Sequence, residues 1–250
     1  MEHGDGHGSG VNIHFHTWLH FLVSRHIIPD WIPEYVANTW IIILILCIPV
    51  FIASRNYRVH NPSRFQTFLE WIVVALNGFV TNLVGSKEAK VLTPIIGTYF
   101  IYILSINYEG LIPGFGSPTT DINTTVSLAL FAIVLVHYFG ITRLGIVNYF
   151  KHFLGEPLWL APLMFPIHII GELAKPLSLS IRLFGNILGE DMVIAILIVI
   201  TIQMAGNFLL PMQFPMVLFG LFGGFVQALV FSMLVGIYIS VAISGHEEHH

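Results

Sequence analysis

Between Asp191 and Glu247 the chain carries no Asp, Glu, Lys or Arg. A bilayer core of ~30 Å is crossed by about 20 residues of helix, so this interval is too long for one crossing. It breaks at GNFLLPMQFP, Gly206–Pro215, which reads as a hairpin turn. Two long helices result, about Leu160–Ala205 and Met216–Ser244. At ~1.5 Å per residue each exceeds the hydrocarbon thickness. Excess length is taken up by tilt, so the pair is expected to lie as a strongly inclined hairpin.

The rest of the chain belongs to the same solvent. Of its 250 residues 55% are hydrophobic and 10% charged, where soluble domains carry about 25% charge. The net charge of −4 and singly scattered basic residues give no nucleic-acid surface. The lone cysteine, Cys47, excludes an internal disulfide and argues against a thiolate metal site. No phosphate loop, zinc-type histidine pair or nucleophile elbow occurs. No cofactor, no metal and no catalytic site of the chain's own is therefore expected. The opening MEHGDGHGSG lacks a signal peptide's basic region. With His3, His7, His246, His249 and His250, it reads as solvated tail rather than metal site.

The apolar segments set an all-α integral membrane protein. Residues 1–37 form an N-terminal tail with a short interfacial helix near Val11–Ile28, and 38–250 form one membrane domain. Crossings are expected at about 38–54, with Pro49 as a potential kink, then at 91–108, 122–142, 160–205 and 216–244. Segment 65–86 is long enough to cross, but Arg55, Arg58 and Arg64 precede it and Lys87 and Lys90 follow. A crossing would put one basic cluster on the wrong side under the positive-inside rule. It reads instead as a cytoplasmic interfacial helix. The loop Glu109–Asp121 holds no basic residue and fits the outer side, whereas Arg143 and Lys151 mark an inner loop. Five crossings follow, with the amino terminus outside and the carboxyl terminus cytoplasmic. No internal repeat is visible, which weighs against inverted-repeat transporters.

Arg182 stands in mid-helix, where a charge costs about 2.5–3.5 kcal/mol on insertion scales. At about 100° per residue, with Arg182 at zero, Ser178 falls near −40° and Lys175 near +20°. His168 and Asn186 fall near +40°, and Glu172 and Glu190 near +80°, so all share one face, while Asp191 falls near 180°. Arg182 is thus a fixed charge with a function, one member of an ion pair with Glu172 or Glu190, or an arginine snorkelling to the headgroups. Gly185/Gly189 and Gly220/Gly224 have small-xxx-small spacing. They serve either to pack the two long helices on each other or to admit a partner's helix. Gln227 either bonds across to the stripe or satisfies backbone. His168 alone reads more readily as a bundle histidine than as a proton site.

The run KPLSLSIRLFGN, Lys175–Asn186, closely resembles the signature of subunit a of rotary F-type ATP synthases. The resemblance extends over about Asn38–Ser244, through DINTTVSLAL at Asp121–Leu130 and the last helix with Gln227. It implies a bacterial plasma-membrane protein that is the stationary proton channel of the complex. Its partners would be the c-subunit ring, the peripheral-stalk b subunits, the soluble ATPase head through that stalk, and membrane lipid. Arg182 would face the ring carboxylates between two aqueous half-channels. Asp191, Glu190, Asn186 and Gln227 would belong to the outer half-channel, and Glu172, His168, Ser178 and Lys175 to the cytoplasmic one. His168 stands where the family often has Glu. Gly220 stands where it often has His or Glu, which leaves a gap for water beside the acids. Two other readings stay open: a standalone transporter with Arg182 on an anionic substrate, and a membrane scaffold.

Overall fold

The computed structural model describes residues 33–55, 57–58, 62–112, 115–146, 149, 161–205 and 214–244. The readings of the tail histidines, the Val11–Ile28 helix, Lys151 and the Gly206–Gln213 part of the turn lie outside them. The described residues form six long helices and no strand: α1 (Glu34–Arg55), α2 (Arg64–Val84), α3 (Ser86–Glu109), α4 (Ile122–Leu144), α5 (Ala161–Ala205) and α6 (Phe214–Ser244). A short 3-10 turn, Pro118–Thr120, stands before α4. Each long helix is apolar and long enough to span a bilayer. Helices satisfy every backbone group within the segment, which hydrocarbon demands. The chain is an all-α integral membrane protein.

Local chemistry sets the helix ends. Ser63 caps α2, its Oγ accepting from Gln66 N at 3.2 Å, and Asp121 caps α4 by accepting from Asn123 N at 2.8 Å. Such caps are worth about 1 kcal/mol. Gly85 (φ +85°) and Gly145 (φ +78°) end α2 and α4 in the left-handed region that glycine enters freely. Since one residue separates α2 from α3, Lys87 and Lys90 lie in the first turns of α3 rather than in a flanking loop. Glu109, expected in the outer loop, is instead the last residue of α3 and is buried. α1 continues through Pro49, and α5 through Pro166 and Pro176.

Helices α3 to α6 share the core. Ile96 and Ile103 of α3 meet Val136 of α4, Leu183 of α5 and Phe231 and Ile239 of α6, all at 2% exposure or less. Lipid tails are as apolar as these side chains, so close packing, rather than escape from water, holds the helices together. Small residues make that packing tight. A Cβ on Gly236 would meet Leu83 Cδ2 at 2.7 Å and Ile96 Cδ1 at 2.9 Å. Tyr99 stacks on Phe231 with centroids 5.8 Å apart. α1 leans on α3 and the 3-10 turn, and α2 on α3 and α6. Exposed Leu44, Ile45, Phe51 and Val74 cover the outside of these two helices, a pattern suited to a hydrocarbon surround.

Candidate functional site

Three polar positions are strung along α5. Toward its start lies the group around Glu172, near its middle Arg182, and beyond it Glu190. At ~1.5 Å per residue these are ~15 and ~12 Å apart along the axis. The separation from Glu172 to Glu190 on α5 equals that from Gly220 to Tyr238 on α6. Gly220 receives Glu190, while Tyr238 lies beside Lys175 and lines one cavity with Glu172. The two helices therefore run antiparallel and bracket Arg182 with one polar site at each end.

Arg182 has an exposed side chain, whereas Leu179 and Leu183 beside it are buried in the core. Its nearest polar contact is Ser178 Oγ, at 3.5 Å from its Nη2. Among the described residues the ion pairs are Glu88–Arg143 and Glu172–Lys175, so Arg182 pairs with neither Glu172 nor Glu190. Ser178 stands beside this arginine and not among the residues lining the cavity near Glu172. Gly171, Gly185 and Gly189 share the Arg182 face, and a Cβ on any of them would meet nothing within 4 Å. They do not pack α5 on α6. The other glycine pair does make close contacts: a Cβ on Gly224 would lie 3.3 Å from Asn107 Cβ and 3.4 Å from Tyr108 Cε1.

The space beside Gly220 is taken by an acid. The Glu190 carboxyl lies in the volume a side chain on Gly220 would take: a Cβ there would come within 2.7 Å of Glu190 Cδ and 2.9 Å of Leu111 Cδ2. Its Oε2 and the Asn186 Nδ2 also approach Gly223, at 3.7 and 4.0 Å from a Cβ there. The same turns of α6 are held by α3, through Tyr108 Oη donating to Leu221 O at 3.0 Å and Asn107 Nδ2 donating to Gly224 O at 3.3 Å. Thr119 donates to Asn107 Oδ1 at 3.3 Å, and Ser117 is 2.6 Å from Thr119. Gln227 is buried on α6 one turn beyond, and Asp191 is half-buried. Of the predicted outer group, Glu190 and Asn186 meet at this notch.

At the other end His168, Glu172 and Lys175 line one cavity of about 60 Å³ with Val136, Tyr149 and Tyr238. Ordered water needs only about 10–15 Å³. Lys175 Nζ donates to Glu172 Oε1 and lies 5.2 Å from the centre of the Tyr238 ring, a cation–π distance. Glu172 Oε2 is buried without a hydrogen-bond partner, so the cavity has an acceptor to spare. Tyr149 entered no sequence argument; it follows a loop glycine with no motif around it, and only the fold carries it to α5. Burial, reinforced by the Glu172 carboxylate, pushes its phenol up to about 12.

A family model described as ATP synthase A chain matches residues 36–240. ATP synthase subunit a of Syntrophobacter fumaroxidans is 42% identical over 209 residues, which is 84% of each chain. The Moorella thermoacetica subunit a is 41% identical over 221 residues, covering 88% of this chain and 95% of its own. That of Geotalea daltonii is 39% identical over 240 residues, covering 94% and 99%.

Proposed function

Because this chain belongs to the ATP synthase subunit a family, a family of ATP synthesis and proton transport, we propose that it is the stationary proton channel of an F-type ATP synthase. In this reading Arg182 faces a ring of c subunits. The peripheral-stalk b subunits hold the chain still against the soluble head. Residues 38–250 act as one membrane domain with five crossings, and α2 lies in the cytoplasmic interface with its basic flanks on one side. The protein sits in a bacterial plasma membrane with its amino terminus outside.

One observation carries the proposal. Arg182 is a cation in an apolar helix with no carboxylate partner among the described residues, on a face kept open by Gly171, Gly185 and Gly189. A charge so costly is matched by a partner that arrives from outside the chain. Guanidinium keeps its proton in proteins, so Arg182 relays none. At about 4 Å and an effective dielectric near 20, its field is worth roughly 4 kcal/mol toward ionising a passing carboxylate. That is enough to make a rotor acid release its proton as it comes opposite. The polar sites on either side serve as the ends of two half-channels: Glu190, Asp191, Asn186 and Gln227 on the outer side, and Glu172, His168, Lys175 and Ser178 toward the cytoplasm. The separation of roughly 27 Å between Glu172 and Glu190, with Arg182 between them, keeps protons from crossing without turning the ring.

The test is ATP-driven proton pumping by the assembled complex in vesicles. Arg182→Ala abolishes pumping while the complex still assembles. Arg182→Lys leaves slow, leaky pumping, since a buried lysine loses its proton readily. Undiminished pumping by Arg182→Ala refutes the assignment.

A further inference from the structure

The cavity at Glu172 has a wall that does not come from α5 or α6. Tyr149 reaches it from the turn after α4, which starts at Gly145 and is fixed by Tyr149 N donating to Gly145 O at 3.0 Å. The phenol ring lies on Gly140: a Cβ there would fall 3.0 Å from Cδ2 and nearer still to the adjacent ring carbon. The side chain is 6% exposed, and its Oη is 2.6 Å from His137 Nδ1. So one tyrosine both lines the cavity holding Glu172 and sets its hydroxyl against an imidazole on α4. Around it stand His168, Glu172 and Lys175 from α5 and Tyr238 from α6.

We propose that Tyr149 and His137 form a further stage of the proton path, carrying protons between the Glu172 cavity and solvent at the Arg143 end of the bundle; this rests on the reading of the chain as the proton channel. The step balances. A proton from cavity water binds the Tyr149 oxygen as the phenol's own proton moves to His137 Nδ1. The resulting imidazolium gives its Nε2 proton to water, and a ring flip or solvent exchange restores the accepting tautomer. Tyrosine ends as it began, and one proton has moved. A phenol held neutral well above physiological pH suits a bridging hydroxyl. Imidazole suits the terminal stage, because its two ring nitrogens can take a proton on one side and give one up on the other. Gly140 is then a positioning residue, since its missing side chain is what admits the ring.

The experiment measures ATP-driven pumping per assembled complex in vesicles for Tyr149→Phe, His137→Gln, the double variant and Gly140→Ala. Phenylalanine keeps the ring on Gly140 and removes only the hydroxyl. Positioned proton-transfer groups contribute on the order of 100-fold; with water as a partial substitute, Tyr149→Phe is expected to slow pumping about 10-fold. Stages in series fail together, so the double variant is no slower than the slower single. ATP hydrolysis by the soluble head and thermal stability in detergent should stay near wild type in Tyr149→Phe while pumping falls, which a merely structural role would not do. Gly140→Ala, by displacing the ring, should match Tyr149→Phe. Wild-type pumping rates in both Tyr149→Phe and His137→Gln overturn the inference. If Arg182→Ala is silent in the same preparation, the channel reading stands without it. If Arg182→Ala pumps, that reading has itself failed.

Discussion

Gly220→Ala puts one methyl group into the space that the Glu190 carboxyl occupies, and the surroundings determine how much that costs. The new Cβ would sit 2.7 Å from Glu190 Cδ and 2.9 Å from Leu111 Cδ2, both well inside contact distance. α6 cannot easily retreat, because Tyr108 and Asn107 hold it at Leu221 and Gly224. Relief therefore falls on Glu190. Turning it about 30° off a rotamer costs on the order of 0.5–1.5 kcal/mol, and leaving its buried carboxyl without a cradle costs about 1–3 kcal/mol. Overpacking of well-filled sites runs to about 1–3 kcal/mol, and that is the expected loss here. Space and chemistry can then be separated. Glu190→Ala in the Gly220→Ala background removes the clash, so thermal stability in detergent should recover most of the loss while proton pumping stays low. Glu190→Gln alone should keep stability and slow pumping, and Asp191→Asn should add to that slowing. A Gly220→Ala protein as stable and as active as wild type would show that Glu190 does not fill the Gly220 notch.

Lys175→Met leaves Glu172 without its cation in a cavity where its Oε2 already lacks a partner. Removing one member of a buried pair costs up to about 3–5 kcal/mol, but both side chains are about a quarter exposed, so roughly 1–2 kcal/mol is expected after screening. Glu172→Gln/Lys175→Met should recover part of it, as a double-mutant cycle on thermal stability would show. Gly189→Leu meets open space in the isolated chain, so it should be neutral or stabilising there by up to about 1 kcal/mol through helix propensity, yet impair pumping or assembly with the ring. An isolated chain destabilised by that change, or a complex indifferent to it, would mean that this face does not receive a partner.

The sequence disclosed some elements and hid others for physical reasons. The charge-free interval after Asp191 required long apolar helices, and the structure has them in α5 and α6. The wheel placed Glu172 and Glu190 on one side of Arg182, and both side chains do turn toward α6. Periodicity could not say which of the candidate partners Arg182 takes, because an arginine reaches several turns; Lys175 takes Glu172, and the Gly220 notch takes Glu190. Nor could it tell that Gly185 and Gly189 face outward while Gly220 and Gly224 face α3 and α5, since the spacing is identical. Glu109 was read as outer loop because the run GLIPGFGSP after it reads as turn, but α3 carries it to its final, buried residue. Tyr149 was invisible for the deepest reason: its meaning lies in Gly140 and His137 on another element, and no local pattern encodes that meeting.

The antiparallel match of α5 and α6 gives these details a common cause. Each helix presents a polar site at each end and leaves the middle to Arg182 on one and to Ala228, fully buried, on the other. Ala228 lies at the arginine's level but inside the core, while the Arg182 side chain is exposed, so that level of α6 gives the guanidinium no carboxylate partner among the described residues. Had Gly220 carried an acid, Glu190 would have lost its notch, and a free carboxylate about two turns from Arg182 would have competed for it. The glycine keeps Glu190 folded against α6 and leaves Arg182 without a carboxylate partner among the described residues. By this argument a carboxylate placed at residue 178, whose hydroxyl lies 3.5 Å from the Arg182 guanidinium, should silence the channel by quenching Arg182 in place. Ser178→Asp complexes that pump normally would show that the charge is not held free for a partner outside the chain.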